Sequence, residues 1–347
     1  MGFSRMPDIL KITIPHKPKQ KHYNIPVFIP HQGCGNECVF CSQHKITGQK
    51  KPPVPAEIFS IIERELGHVN RVGYEKIEIA FFGGSFTGIE HDLMLGYLKT
   101  ANKFIKSGRA NGIRLSTRAD YIDAEILEIL KNLGVSSIEL GIQSMNDSVL
   151  ERTARGHKAA DIVRACGLIL EYGFSLTGQM MLGLPGSSAE IDFESAASIV
   201  GMGVHAARIY PTVVFPGTKL DEWHKGGFYE PLSLDEAVKH GAAARRCFDE
   251  HGVDVIRTGL YADDGVLAAG DFIGPYHPAF GELVEGRVVF ELLCARIEEY
   301  AAEHGSMPKA LEVYADKRNM SKVAGHKKAN LAGIMERYGV EVRLVSR

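Results

Sequence analysis

Three cysteines fall within eight positions: Cys34, Cys38 and Cys41, in the run HQGCGNECVFCSQ, with gaps of three residues and then two. Thiols crowded onto a loop directly after the apolar segment Ile25 to Pro30 point to a metal or iron–sulfur centre rather than to core packing. A closed structural zinc site takes four protein ligands, and an electron-transfer cluster is usually held by four thiolates. Here there are three. A four-iron cluster on three thiolates keeps one iron open to a small chelating ligand, and so to chemistry. His31 and His44 flank the triad and would instead complete a zinc site, so the spacing alone leaves both centres open.

Cys166, Cys247 and Cys294 are scattered through helical-looking stretches and do not make a disulfide framework. Cys166 shares a helical stripe with Ile162, Val163, Ile169 and Leu170, which reads as core packing. This cysteine usage, with no basic segment followed by an apolar core in Met1 to Leu10, leads us to expect a cytoplasmic protein without a signal peptide. No apolar run approaches the ~20 residues needed to span a bilayer, so no membrane partner is expected.

The elements that must position the cysteines recur at ~30-residue intervals, the size of a strand–helix–strand unit. After a leader (residues 1–24) that reads as irregular, strands are expected from Ile25 up to the cysteine loop and at Ile77–Phe82, Ile113–Ser116, Ser137–Ile142, Phe174–Leu182 and Ala207–Val214. Amphipathic stripes between them, such as Ile58, Ile61, Ile62 and Leu66, mark helices. Parallel strands with helical crossovers follow, and in such barrels functional residues sit at the C-terminal strand ends. The distinctive short motifs all fall there: Gly83-Gly84-Ser85, Thr117-Arg118-Ala119-Asp120, Gln143, Arg155-Gly156-His157, Gly183-Leu184-Pro185-Gly186 and Tyr210-Pro211-Thr212.

The core is expected over residues 25–250, with residues 251–347 forming a covering segment and a small βαβ-like extension. In that extension a strand at Leu311–Tyr314, a helix at Ser321–Tyr338 and a strand at Val340–Val345 are expected. With 347 residues, 45% hydrophobic and 24% charged, the chain can bury a barrel-sized core, and its net charge of −2 argues against a wholly basic nucleic-acid binder. Local basic stretches remain: Lys11, Lys17, Lys19 and Lys21 in the leader, and Lys317, Arg318, Lys322, Lys327 and Lys328 near the end. Each reads either as solvated surface or as a contact for RNA or another anion.

The Cys-x3-Cys-x2-Cys loop at the end of the first strand resembles the signature of the radical S-adenosylmethionine (SAM) enzymes. The stretches STRADYI, ELGIQS, ARGH, GLPG and YPTVVFPGTKLDEWHKGGFY are similar to the radical SAM half of the Elongator catalytic subunit, which modifies wobble uridine in tRNA. They are less closely similar to oxygen-independent coproporphyrinogen oxidase. The resemblance spans most of residues 23–235 and implies an α/β fold, a partial (β/α)6 TIM-like barrel with a small C-terminal α+β extension. It also implies a [4Fe–4S] cluster on Cys34, Cys38 and Cys41, and SAM as cofactor. Gly83 and Gly84 would receive the methionyl amino group of SAM, and Ser116, Gln143, Arg155 and Gln179 would contact its methionine or ribose parts.

The chain departs from the pattern in places. Ser116 stands where glutamate is common and Gln179 where aspartate is usual; an amide still hydrogen-bonds a ribose hydroxyl, but without charge assistance. The Elongator subunit carries an acetyltransferase domain after its barrel, for which the remaining residues are too few. Coproporphyrinogen oxidase has a further cysteine where this chain has Gln43. The expected activity is reductive SAM cleavage to a 5′-deoxyadenosyl radical, fed by an external electron donor, with tRNA or another RNA as substrate. Two alternatives stay open: radical chemistry on a small molecule or tetrapyrrole, with Tyr276 and His277 at the pocket, or a non-catalytic zinc- or cluster-containing RNA-binding sensor.

Overall fold

Alternation is the physical basis of the core: along each central strand one face is apolar and the other polar. A computed structural model of the chain describes residues 9–15, 21–29, 33–35, 37–41, 52–69, 73–260 and 272–346. Ten strands occur among them: β1 (Ile9–Thr13), β2 (His22–Phe28), β3 (Lys76–Phe82), β4 (Gly112–Thr117), β5 (Val135–Gln143), β6 (Ser175–Leu182), β7 (Ala206–Pro211), β8 (Asp254–Thr258), β9 (Ala310–Ala315) and β10 (Glu341–Ser346). Strands β2 to β8 pair in chain order, all parallel, in one seven-stranded open sheet. The expected partial TIM-like α/β barrel is present, with β8 added as a seventh strand at its edge.

Ile79, Phe81, Ile113, Leu115, Ile138, Leu140 and Ile209 lie on one face of the sheet and are fully or almost fully buried. They meet the apolar stripes of the helices, among them Ile58, Ile62 and Leu66 of α1 (Pro55–Val69), and Tyr97 and Phe104 of α2 (His91–Lys106). Each such side chain removed from water contributes about 1.5–3 kcal/mol. The stripes are close to those expected, but the helix α3 (Ala124–Asn132) buries Leu127 and Leu130 most deeply. In the helix α5 (Ala159–Glu171), Cys166 is core as expected, whereas Val163 is 52% exposed and leaves the stripe.

The opposite, concave face is polar. At its floor the fully buried Glu78 is surrounded by an imidazole, two cations and a hydroxyl: His22 Nε2 at 2.9 Å, Lys76 Nζ at 3.0 Å, Arg114 Nη2 at 3.3 Å and Ser136 Oγ at 2.9 Å. Higher up, Arg208 Nε pairs with Glu139 Oε2 at 2.8 Å and its Nη1 donates to Tyr210 Oη at 3.1 Å. Buried charge is tolerated there because it is paired.

A second, three-stranded sheet has the order β1-β9-β10, all parallel, packed on the long helix α9 (Phe280–His304). The leader is therefore not irregular throughout: Ile9–Thr13 is a strand of the C-terminal sheet, with Ile12 buried beside Leu311 and Val313. Its apolar alternation is too short to be told from a loop without its partner. Lys17 and Lys19 lie outside the described residues. The expected single helix over 321–338 is two, α10 (Met320–Ala324) and α11 (Ala329–Tyr338), broken at Gly325 (φ 74°) and the left-handed Lys327 and Lys328. No helix among the described residues is long and apolar enough to cross a membrane.

Burial opposes ionisation of Glu78, but the hydrogen bond from His22 and the charges of Arg114 and Lys76 outweigh it and hold its carboxyl far below the usual range. The stabilisation is thus complete above the unfolded-state value of about 4.3 and is lost as pH falls below it toward the lower folded-state value. Glu78→Gln is expected to cost about 3–5 kcal/mol at pH 7, since Arg114 stays buried without its partner. In urea titrations between about pH 3 and 5, the variant's stability should also vary less with pH than that of the unaltered chain.

Candidate active site

The cysteine loop leaves β2 and leans on the loop that follows β3. Gly33 has φ 78°, and a Cβ on it would lie 2.2 Å from Ser85 O and 2.6 Å from Gly88 C. A Cβ on Gly88 would in turn lie 2.2 Å from Gly33 O. Two glycines at this crossing are therefore a steric requirement. Gly83, with φ 112°, is held by the same crowding, its absent Cβ 2.8 Å from Ile29 O.

Polar contacts then fix the loop. Cys34 Sγ is 3.3 Å from the buried Ser85 Oγ, and Gly35 N donates to Tyr121 Oη at 2.9 Å. Thr87 Oγ1 ties the β3 loop to the β4 loop, 2.6 Å from Thr117 Oγ1 and donating to Tyr121 O at 2.9 Å. Val39 N donates to Thr153 O at 3.2 Å, and Val39 O accepts from Leu220 N at 2.8 Å. Thr153 follows α4 (Asp147–Arg152), and Leu220 belongs to α7 (Lys219–Lys225). Val39 also packs with Val214, Leu220 and Tyr229, so the stretch FPGTKLDEWHKGGFY supports the cysteines from below.

Two guanidinium groups reach the thiols. Arg155 Nη1 lies 3.2 Å and Arg118 Nη1 3.8 Å from Cys38 Sγ. Arg155 is aimed by Nη2 donating to Gly141 O at 2.5 Å. Arg118 is gripped by both oxygens of Asp120 at 2.9 Å and donates to the Arg155 carbonyl. His157 Nδ1 lies 3.3 Å from Asp120 Oδ1. Burial pushes the Asp120 carboxyl up, but the hydrogen bonds from His157 and Arg118 more than offset it and hold the group well below its ordinary value. The tetrad Asp120–Arg118–His157–Arg155 is thus a hydrogen-bonded cradle beside Cys38.

Of the residues expected to contact SAM, Gln143 and Gln179 come together, Gln179 Nε2 lying 3.5 Å from Gln143 Oε1. Gln143 has φ 68°, a left-handed conformation that a non-glycine residue seldom adopts, at a register shift in the β5–β6 pairing. Ser116 stands opposite Glu139 in the β4–β5 register, on the same concave face by alternation. Gly83, Gly84 and Arg155 border the cysteine loop, so all six lie on the strand-end side of one concave surface. The structure adds Gly33, Ser85, Thr87, Gly88, Arg118, Asp120, Tyr121 and His157, of which Ser85, Arg118, Asp120 and His157 stood inside the short motifs of the sequence. The only signal available for Gly33 and Gly88 was glycine beside a motif.

Cys34, Cys38 and Cys41 are partly buried and form no disulfide. Among the described residues no three His, Cys, Asp or Glu side chains converge on one ion position. Three thiols on one loop are the donor set a [4Fe–4S] cluster takes, each thiolate on a different iron. His31, His44 and Gln43 lie outside the described residues. Cys166, Cys247 and Cys294 are buried elsewhere, and burial raises each thiol, that of Cys166 to about 12. Tyr276 packs edge-on against Phe272, and His277 Nδ1 accepts from Ala279 N at 3.0 Å at the start of α9.

A family model described as the radical SAM superfamily matches residues 28–195, and one described as the radical SAM C-terminal domain matches residues 204–289. An uncharacterized protein of Methanocaldococcus jannaschii is 31% identical over 237 residues, covering 65% of this chain and 72% of that protein. A tRNA uridine(34) acetyltransferase of Dehalococcoides mccartyi is 26% identical over 231 residues, covering 57% of this chain and 50% of the enzyme. This chain thus spans about half of that relative's length. The structure of an N-terminally truncated Elp3 from Methanocaldococcus infernus shares the fold, with a TM-score of 0.60 and 21% identity over 83% of this chain and 69% of the other.

The glycine crossing yields a direct test. Gly33→Ala is expected to displace the cysteine loop, so that anaerobically reconstituted protein retains little iron and acid-labile sulfide. Gly67→Ala, on α1 with nothing within 4 Å of its added carbon, should retain both and gain about 0.5–1 kcal/mol. Equal iron content in the two variants would show that the crossing does not position the thiols.

Proposed function

The chain belongs to the radical SAM superfamily, whose enzymes bind a [4Fe–4S] cluster and SAM, and we propose that it uses them to modify RNA, with tRNA as the substrate. The observation that carries the chemical half of this reading is the interlocked strand-end site, in which three thiols are held by neighbouring backbone with no fourth cysteine beside them. Cys34, Cys38 and Cys41 would hold the cluster. When bound, the reduced cluster supplies one electron to the sulfonium of SAM, releasing methionine and a 5′-deoxyadenosyl radical that abstracts hydrogen from substrate.

The chain's own residues position and shield this chemistry. Arg155 and Arg118 offset the negative charge gathered on the thiolates and, in a site of low dielectric, hold it more strongly than solvent would. Gly83 and Gly84 offer exposed backbone to the methionyl end of SAM, and Gln143 and Gln179 offer amides to its hydroxyl groups. The left-handed backbone of Gln143 aims its side chain back over the sheet toward Gln179. An external one-electron donor is required. Support for tRNA comes from the relatives, which include tRNA uridine(34) acetyltransferases and Elongator complex protein 3.

Anaerobic incubation with SAM and dithionite is expected to yield 5′-deoxyadenosine, faster when total tRNA is added. Cys34→Ala, Cys38→Ala and Cys41→Ala should each abolish it. Product formation that survives any of these substitutions would overturn the cluster assignment. Stimulation by a small-molecule extract and not by tRNA would overturn the substrate reading.

A further inference from the structure

The C-terminal module bears many charges, and along α9 they are neutralised. Arg287 pairs with Glu291 at 2.8 Å, Arg296 with Glu299 at 2.7 Å, Arg337 with Glu298 at 3.0 Å and Lys322 with Glu285 at 2.6 Å. The turns flanking α10 are the exception. Lys317, Arg318, Lys327 and Lys328 are exposed, and none makes an ion pair with any described residue. The nearby Asp316 is engaged by Asn319, whose backbone N donates to it at 2.9 Å. In a chain with a net charge of −2 these turns gather four cations that no described carboxylate pairs, as α2 gathers Lys99, Lys103 and Lys106. The two turns are separated by a five-residue helix, about 7.5 Å along its axis.

The second turn is built rigidly. Lys327 and Lys328 are both left-handed, with φ 51° and 64°, which costs on the order of 1 kcal/mol each or more without glycine. The buried Asn330, two residues on, donates to Gly286 O at 2.9 Å and to Lys322 O and Val323 O at 3.2 Å, tying the start of α11 to α9 and α10. Two adjacent backbone positions set in this way present their lysines from one turn, which concentrates positive potential locally.

Its position relates it to the catalytic face. The start of α9 abuts the C-terminal end of β8, where Gly281 lies against Thr258 O, and Gly286, one turn on, lies against Lys322 O and Gly325. His326 meets the ring of His277 with centroids 6.0 Å apart, and Ile273 in the same segment bridges to Val214 beyond the end of β7. The basic turn is therefore attached to the strand-end side of the barrel, the side that carries Cys34, Cys38 and Cys41.

We propose that the turns flanking α10, centred on Lys327 and Lys328, dock the sugar–phosphate backbone of the RNA substrate beside the mouth of the barrel. This assignment rests on RNA being the substrate. Phosphodiesters match it in charge and in repetition: several single-charge contacts spaced along a surface suit a polyanion better than one compact anion. A local basic turn on an otherwise acidic chain gives orientation without general nucleic-acid binding.

The test uses the full chain and total tRNA, with binding followed against salt. Lys327→Glu/Lys328→Glu should weaken binding roughly tenfold or more and lower the slope of log affinity against log salt by about 1.5. Lys327→Gly/Lys328→Gly removes both charges while suiting the left-handed backbone, and should lower the slope equally without loss of fold. Cleavage of SAM without substrate should be unchanged in both. Unaltered affinity and slope in the two variants would overturn the docking surface, and stimulation of 5′-deoxyadenosine by tRNA would show that the substrate reading still stands. Loss of binding to phosphatidylserine vesicles with tRNA binding intact would overturn it in favour of a lipid surface. Weakened tRNA binding in variants of a protein that tRNA never stimulates would uphold the surface and reject the substrate.

Discussion

The site depends on one steric fact: the backbone of the cysteine loop crosses the backbone after β3 so closely that neither Gly33 nor Gly88 can carry a side chain. That contact brings Cys34 to Ser85, and the same β3 loop is bound through Thr87 to the turn that presents Tyr121 and Arg118. The thiols are positioned by three neighbouring strand ends. An isolated loop of this composition would have to bear the entropy of ordering on its own, about 1–2 kcal/mol for each residue's backbone.

Charge is handled differently at the two ends of the barrel. At the floor, Glu78 is enclosed by Lys76, Arg114 and the His22 imidazole, a purely structural arrangement. At the strand ends, Arg118 and Arg155 are held by Asp120 and by backbone carbonyls so that part of each guanidinium is directed at Cys38. Positive charge placed there complements the negative charge of a thiolate-bound cluster. Between these layers Arg208, Glu139 and Tyr210 line the concave face, where burial pushes the Tyr210 phenol up. The concave face is therefore polar and paired, in contrast to the packed apolar core of a closed barrel.

The C-terminal module returns to the beginning of the chain. β1 pairs with β9, which also pairs with β10, so residues from both ends of the described chain share one small sheet and one apolar cluster. This sheet backs α9, and α9 begins at the end of β8, which ties the module mechanically to the catalytic side.

Local pattern determined the thiol triad, the alternation of strands and helices, and the placing of most short motifs at strand ends, because these depend on spacing and on periods of 2 and 3.6 residues; Arg155-Gly156-His157 instead joins α4 to α5. Cys166 could be assigned to the core for the same reason, although Val163 could not, since the width of a buried stripe depends on what packs against it. Tertiary contact alone decided the rest. Ile9–Thr13 became a strand because β9 offered it an edge about 300 residues away. Gly33 and Gly88 acquired their role from a crossing between loops some 55 residues apart, and Arg118 its role from the carbonyl of Arg155 and the thiol of Cys38. The sequence announces which groups can do chemistry; which of them meet is settled by long-range packing, to which local spacing is blind.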